Sequence, residues 1–352
     1  MASPETLARM KAVVGPKGFI DDAADMAPYL VERRDLYKGR AAAVLRPAST
    51  AEVSALMKIA HEMGTPVVPQ GGNTGLVGGQ IPFETGDEII LSLTRMNRIA
   101  ALDAENNTLT VEAGLTLKAA QEAAEAADRF FPLSLASEGS CQIGGNLATN
   151  AGGTAVLHYG NARDLVLGLE VVLADGRVWN GLRGLRKDNT GYDLKQIFMG
   201  SEGTLGIITG AVLKLFPRLR AETAFAAVPS PEAAVKLLRL AEAATGGLVT
   251  GFELMPRIGI EFVVRHVSGA SDPLGNPSPW YVLIELQSGG EGDGLAEVLE
   301  AALTKGMEAG LASDAAIARS DAQRAAFWHL RESMSDVQRL EGGSIKHDVS
   351  VP

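Results

Sequence analysis

Three stretches of this 352-residue chain carry residue types suited to backbone chemistry. The first is Pro66-Val-Val-Pro-Gln-Gly-Gly-Asn-Thr-Gly-Leu-Val-Gly-Gly79, where five of fourteen residues are glycine directly after a short apolar run. Glycine surrenders the most backbone entropy on folding, so a cluster of it suits a place where backbone must approach something closely. Successive N–H groups with no side chains in the way can cradle a phosphate. The second zone runs from Glu138 to Gly160, and the third is Gly200-Ser-Glu-Gly-Thr-Leu-Gly-Ile-Ile-Thr-Gly210. One such zone alone reads equally well as a surface loop. Three together suggest a backbone wrapped along an extended ligand such as a dinucleotide. None of them is G-x-G-x-x-G or G-x-x-x-x-G-K-[ST], and the chain has no H-E-x-x-H and no G-x-S-x-G elbow.

Side-chain chemistry is concentrated near the end of the sequence. Arg331 and Ser335 stand at i, i+4 on a helix expected over 321–340, so they share a face. Lys346 follows the break Gly342-Gly343. On a final strand expected over 344–351, alternation puts Lys346, Asp348 and Ser350 on one side and Ile345, His347, Val349 and Val351 on the other. Residue type alone favours reading Arg331 and Lys346 as surface charges. An arginine fork is nevertheless the group best shaped to grip a carboxylate through two hydrogen bonds. Glu253, in Gly-Phe-Glu-Leu-Met, is a candidate for a buried and paired carboxylate, which the sequence leaves open. Cys141 is the sole cysteine and reads as a small packing residue, so an intrachain disulfide or a zinc ribbon is out of reach. Of the histidines His61, His158, His266, His329 and His347, no two have the short spacing of a metal-ligand pair.

The elements that must position these residues follow from periodicity and capping. A helix is expected over 49–63, with Ser49 and Glu52 at capping-box spacing and Val53, Leu56, Met57, Ala60 and Met63 on one face. Extended runs are expected at 65–69 and 88–93, a hairpin at 99–102 and 108–112, a helix at 116–128 and a short strand near Phe130. A strand pair at 165–173 and 178–180 follows, then a strand at 211–216 stopped by Pro217. Beyond residue 218 the reading is strand 221–228, helix 230–244, strand 248–255, strand 280–287, helix 293–309 and strand 311–318. That β-α-β-β-α-β order is the split βαβ of a ferredoxin-like sandwich. A short helix near 256–267 and a Pro-rich loop at 271–279 lie between its middle strands. The domain boundary is placed at about 217–221.

Composition narrows the function classes. A net charge of −10 without a long basic run argues against nucleic acid. No apolar run approaches the ~20 residues that span a bilayer, and the first residues do not resemble a secretory signal. A soluble, cytoplasmic protein is the expectation.

The glycine zones carry a more specific resemblance. Pro69-Gln-Gly-Gly-Asn-Thr-Gly-Leu-Val-Gly-Gly79 resembles the pyrophosphate loop of the FAD-binding fold named after vanillyl-alcohol oxidase and p-cresol methylhydroxylase. Ser140-Cys-Gln-Ile-Gly-Gly-Asn-Leu-Ala-Thr-Asn-Ala-Gly-Gly153 is similar to the second flavin-embracing segment of that family. Asp188-Asn-Thr-Gly-Tyr-Asp-Leu194 and Gly200–Thr209 are similar to the third. Order and separations match, over nearly the whole chain. The resemblance is closest to the FAD-linked D-2-hydroxy-acid dehydrogenases, the branch of D-2-hydroxyglutarate and D-lactate dehydrogenases and the glycolate oxidase flavin subunit.

It implies an α+β protein with a two-subdomain FAD-binding domain of the PCMH type over 1–219 (core about 38–217). A ferredoxin-like substrate domain over 220–352 follows, in incomplete form. By position, Pro69 and the N–H groups around Gly71, Gly72, Asn73, Thr74 and Gly75 would hold the pyrophosphate, with Gly78 and Gly79 keeping side chains away. Gly144, Gly145, Thr149, Asn150 and Gly153 would line the flavin and ribityl chain, and Gly203, Gly206 and Ile208 the adenosine or ring-facing strand. His158 is read either as a flavin contact or as a satisfied loop residue. No histidine lies between His61 and His158, so the FAD is expected to be dissociable. Trp328-His-Leu-Arg-Glu332 and Ile345–Pro352 resemble the segments that hold the substrate carboxylates. The resemblance therefore makes Arg331, Ser335 and Lys346 the substrate-binding residues.

Relatives in that branch continue with a His-Gly-x-Gly-Asn-x-His segment and a later Glu-His pair, which supply metal ligands and the catalytic base in metal-dependent members. This sequence holds neither, so it reads as a C-terminally truncated copy with no catalytic residue of its own and no metal. The resemblance implies oxidation of a D-2-hydroxy acid to the 2-oxo acid by hydride transfer to flavin. The alternatives are an FAD-binding module without turnover, or another FAD-linked oxidase of the same fold. Electron-transfer flavoprotein or a quinone is the expected acceptor, and a homodimer stays open.

Overall fold

The computed structural model describes residues 2–289, 294–345, 347 and 349–351. It divides into two compact units, Met1–Gly153 with Gly160–Arg218, and Leu219–Pro352 with Thr154–Tyr159. The excursion at 154–159 leaves the first unit's sequence and packs with the second. It includes the short helix Val156–Tyr159, and Tyr159 donates its hydroxyl to Gln287 Oε1 at 3.1 Å.

The first unit holds two main sheets. One has the strand order Phe19–Ile20, Val44–Leu45, Ile89–Ser92, Val67–Gln70, with the last three parallel to one another. Parallel strands of one sheet require a crossover, and the helix Thr50–Met63 makes one between Val44–Leu45 and Val67–Gln70, which flank Ile89–Ser92 on either side. Ser49 Oγ accepts from Glu52 N at 3.2 Å while Glu52 Oε2 accepts from Ala48 N at 2.8 Å. Gly64, at φ 60°, ends the helix in the left-handed conformation that glycine adopts without strain. The sheet thus delivers the chain from Gln70 straight into the first glycine zone.

The other sheet is antiparallel, in the order Ile99–Asp103, Thr108–Glu112, Ile207–Lys214, Val166–Val172, Val178–Gly181. Its central strand begins at Ile207, earlier than the expected start at 211, so the third glycine zone ends inside the sheet. Ile207, Ile208 and Thr209 are buried, with Ile207 and Ile208 paired to Val172 and Val171, and the register shift between Ile208 and Gly210 takes in Thr209 as the extra residue. The second zone contains a helix that its glycines disguise, Ile143–Ala148.

The second unit has one antiparallel sheet, ordered Val249–Pro256, Trp280–Ser288, Arg220–Val228, Asp314–Ile317. Helices Pro231–Thr245 and Leu295–Glu308 cover one face, over a core of Ala224, Val282, Ile284, Leu237 and Leu303. This is the ferredoxin-like arrangement that periodicity predicts. Helices Arg257–His266 and Asp321–Val337 cover the other face, packing on Phe225, Met255, Tyr281 and Leu283.

The final strand expected at 344–351 is not formed by the described residues there. Ile345, Val349 and Val351 are 88%, 75% and 83% exposed, and no sheet edge pairs with them. Alternating residue types confer little on an extended segment without a partner strand. No helix among the described residues is long and apolar enough to cross a membrane.

Candidate functional site

The three glycine zones meet along one groove of the first unit. A Cβ on Gly72 would lie 1.9 Å from the carbonyl oxygen of Ser140, so the first zone lies directly on the second. Gly200 N and Glu202 N donate to Leu147 O and Ala148 O at 3.2 and 2.9 Å, tying the third zone to the second. Gly203, at φ +79°, would place a Cβ 2.3 Å from Pro69 Cγ, which brings the third zone against the first.

Side-chain amides hold the first loop in shape. Asn73, at φ 52°, donates to Pro28 O and Val31 O at 3.0 and 2.8 Å. Gln80 donates to Asn73 Oδ1 and Gly75 O, and the buried Gln70 donates to Tyr29 O and Gln80 O. The backbone N–H groups of Gly71, Gly72, Asn73, Thr74 and Gly75 have no acceptor within the described protein. A braced loop with successive unpaired N–H groups is an anion-binding concavity. No Lys or Arg lines the groove among the described residues, and Glu202 is its one charged lining side chain. A bound phosphate would therefore be met by N–H dipoles rather than by counter-charges.

Two buried side chains point to a ligand independently. Gln142 and Asn146 are 6% and 5% exposed and line the groove, yet Gln142 Oε1 and Asn146 Nδ2 have no hydrogen-bond partner among the described residues. An unpaired buried polar atom costs about 1–3 kcal/mol, so native proteins rarely retain one without a use. Gly145 adds to this. It lies inside the helix Ile143–Ala148, lines the groove, and a Cβ built on it meets nothing within 4 Å. The protein's own packing does not require a glycine there.

Most residues named from sequence lie in this lining: Pro69, Gly71, Gly72, Asn73, Thr74, Gly75 and Gly79 from the first zone, Gly144, Gly145 and Thr149 from the second, Gly203, Gly206 and Ile208 from the third. Gly78, Asn150 and Gly153 lie outside it. Gly78, at φ +80°, passes the ring of Tyr37, and Gly153, at φ +90°, sits against Ser134 O. Asn150 Oδ1 accepts from Arg163 N at 3.0 Å. Among the lining residues that sequence reading passed over are Gln142, Asn146 and Glu202. All three lie inside the quoted motifs, but only tertiary contact shows that two of them keep unpaired atoms.

In the second unit two carboxylates on strands, Glu285 and Glu253, each accept from a side chain of the helix Asp321–Val337. Glu285 accepts from the Trp328 indole at 2.8 Å, from Thr223 at 3.0 Å and from Gln287 at 2.9 Å. One helical step further along, Arg331 Nε donates to Glu253 Oε2 at 2.6 Å. Glu253 is thus paired, the question the sequence left open. Ser335 is exposed one turn beyond Arg331. Lys346 lies outside the described residues, as does Asp348. Burial and then the charge of Glu285 raise the Tyr159 phenol above its ordinary pKa. His158 is exposed, with its ring edge-on to Tyr159 at 4.6 Å between centroids. Among the described residues no group of three or more His, Cys, Asp or Glu side chains could hold a metal ion.

This architecture has close counterparts. An alkyldihydroxyacetonephosphate synthase superimposes with a TM-score of 0.76 at 21% identity, over 97% of this chain and 66% of that one. p-Cresol methylhydroxylase with substrate bound gives 0.71 at 17%, over 89% and 65%. At these identities the likeness defines the fold, that of the vanillyl-alcohol oxidase and p-cresol methylhydroxylase flavoproteins.

Sequence comparison is more specific. Residues 41–181 match the family described as FAD binding domain, and 219–352 the family described as FAD linked oxidases, C-terminal domain. The bovine (Bos taurus) D-2-hydroxyglutarate dehydrogenase, mitochondrial, is 40% identical over 100% of this chain and 64% of its own length. A probable D-2-hydroxyglutarate dehydrogenase of rice (Oryza sativa subsp. indica) is 41% identical over 97% and 61%. The Saccharomyces cerevisiae D-2-hydroxyglutarate–pyruvate transhydrogenase is 36% identical over 99% and 70%. The chain belongs to the FAD-linked oxidase family, and it spans about three fifths of the length of the rice and bovine relatives.

Proposed function

We propose that this chain serves FAD-dependent oxidation of a D-2-hydroxy acid, of the D-2-hydroxyglutarate or D-lactate class, to the 2-oxo acid. The observation that carries this reading is 36–41% identity, along nearly the whole chain, to relatives named for that chemistry. The groove supports it from the side of the cofactor. The unpaired N–H groups at 71–75 suit a pyrophosphate, and Gln142 Oε1 and Asn146 Nδ2 offer an acceptor and a donor to the polar atoms of the bound cofactor. The described lining contains no His, Cys or Tyr, which favours FAD held without a covalent bond.

When bound, FAD supplies the two-electron acceptor for the alcohol-to-ketone step. The chain's own residues hold the acid. Arg331 offers a planar fork to a carboxylate, Ser335 a hydroxyl one turn away, and Lys346, by its position in the sequence, a point charge. Electron-transfer flavoprotein or a quinone is the proposed onward acceptor, and the yeast relative's name adds a 2-oxo acid to the set worth assaying.

The test is a panel of D- and L-2-hydroxy acids added anaerobically to the purified, FAD-loaded chain, read as bleaching of flavin absorbance. Bleaching by a D-acid is expected of the chain extended by a relative's C-terminal segment. A chain that takes up no FAD overturns the reading altogether. FAD uptake without bleaching by any acid reduces it to a flavin-holding module.

A further inference from the structure

Arg331 has a partner that the acid-binding reading does not use. Its Nε donates to Glu253 Oε2 at 2.6 Å, and its side chain makes no other hydrogen bond among the described residues. A guanidinium carries five donors in a fixed plane. Glu253 therefore occupies the Nε edge and leaves the terminal Nη1 and Nη2 groups unengaged.

Both ends of this pair are braced. Glu253 stands on the strand Val249–Pro256, in register with Leu283 of the neighbouring strand and two residues from Gly251, which faces Glu285. Its side chain is 21% exposed against 36% for Arg331, so the carboxylate is the deeper partner. The helix that carries Arg331 is docked one step earlier by Trp328. The indole ring lies 3.4 Å from where a Cβ on Gly251 would be, and its N–H is held by Glu285. Glu285 in turn is held by Thr223 and Gln287. Neither the backbone of Arg331 nor that of Glu253 is free to drift.

We propose that Glu253 is the positioning residue of the acid clamp: by taking the Nε–H of Arg331 it aims the Nη edge of the guanidinium at the incoming carboxylate. This rests on the reading above that Arg331 binds the acid. An arginine that is about one-third exposed would, alone, sample many rotamers and lose that freedom on gripping a ligand. A carboxylate already on the Nε edge removes most of that loss before the acid arrives, and it partly balances the charge of a cation that is two-thirds covered. The acid then needs only the Nη1 and Nη2 donors.

The test is calorimetric titration of D-2-hydroxyglutarate and of D-lactate into the FAD-loaded chain, with melting temperatures measured in parallel. Arg331→Ala is expected to abolish binding. Glu253→Ala is expected to weaken binding about tenfold. Glu253→Gln, whose amide oxygen still accepts the Nε–H, is expected to recover most of that loss, a rescue that a purely structural role would not produce. Glu253→Asp keeps the charge and adds no bulk but withdraws the oxygen by one methylene, so it should also weaken binding even if Glu253→Ala folds poorly. In an Arg331→Lys background Glu253→Ala should cost nothing further, because lysine has no second edge to aim. Unchanged or tighter binding in Glu253→Ala and Glu253→Asp overturns the inference and leaves the clamp intact. Undiminished binding in Arg331→Ala, or no binding by the unaltered chain, overturns the clamp reading and the inference with it.

Discussion

The groove of the first unit and the Arg331 face of the second would each hold an anion, and they are built by opposite means. The groove presents backbone N–H groups on a loop braced by Gln70, Asn73 and Gln80, with no Lys or Arg in its described lining. The second unit presents a full charge on a long side chain and steadies it with a carboxylate. A backbone site is as rigid as the loop that makes it and is damaged by changes that move the main chain. A side-chain site depends on the last few atoms of one residue, so substitution there should spare the fold and change the function.

The largest expected effect tests the backbone half of that contrast. Gly72→Ala would set a Cβ 1.9 Å from Ser140 O, a clash of a methyl whose place the backbone fixes with a neighbouring carbonyl, which no rotamer relieves. Overpacking of this kind costs about 1–3 kcal/mol and occasionally more, and here the high end is expected. A fall in melting temperature of the FAD-free chain checks it. An unchanged melting temperature would mean that the first and second zones are not locked together.

Gly145→Ala sharpens the comparison by separating stability from binding at a groove glycine. The added methyl meets nothing within 4 Å, and alanine is favoured over glycine in a helix by about 0.8–1.0 kcal/mol. The FAD-free chain should therefore melt slightly higher while FAD affinity, measured by fluorescence titration, falls about tenfold. Affinity equal to that of the unaltered chain would show that the groove is not filled at Gly145.

The smallest effect concerns pH in the second unit. Burial raises the phenols of both Tyr159 and Tyr281, with further upward contributions from the carboxylates of Glu285 and Asp272 respectively. A phenol whose folded pKa lies above its unfolded value of 10.0 keeps its proton longer in the folded state. Its contribution is thus fully present below pH 10 and is lost as pH rises through the raised value. Denaturant melts of the second unit's tryptophan signal should show stability declining above about pH 10. Tyr159→Phe should make that decline shallower, and an identical alkaline slope in the variant would remove Tyr159 from the account.

The comparison also explains what could be read in advance. A glycine's reason is often local: the turn at Gly64 and the clusters at 71–79 and 144–153 are visible in one dimension, and most of those residues do line one groove. The repeating strands and helices beyond 218 were legible because each buries one face, which imposes a period on the residues. At 344–351 the sequence has the alternation, but no sheet edge pairs with the described residues there. The helix Ile143–Ala148 was hidden because two glycines inside it lower helix propensity, while backbone bonds from Ile143 and Gly144 to Leu115 and Ala113 hold it in place.

By itself the sequence determined the sandwich order of the second unit, the positions of the three glycine zones and the family they resemble, because periodicity and missing side chains are properties of neighbours along the chain. Tertiary structure alone decided that the zones share a groove, that Gln142 and Asn146 keep unpaired atoms inside it, that residues 154–159 belong with the second unit, and that Glu253 takes the Nε edge of Arg331. Each of those depends on groups far apart in sequence becoming close in space, and whether a polar atom is satisfied or free is settled only by what the fold brings within hydrogen-bonding distance of it.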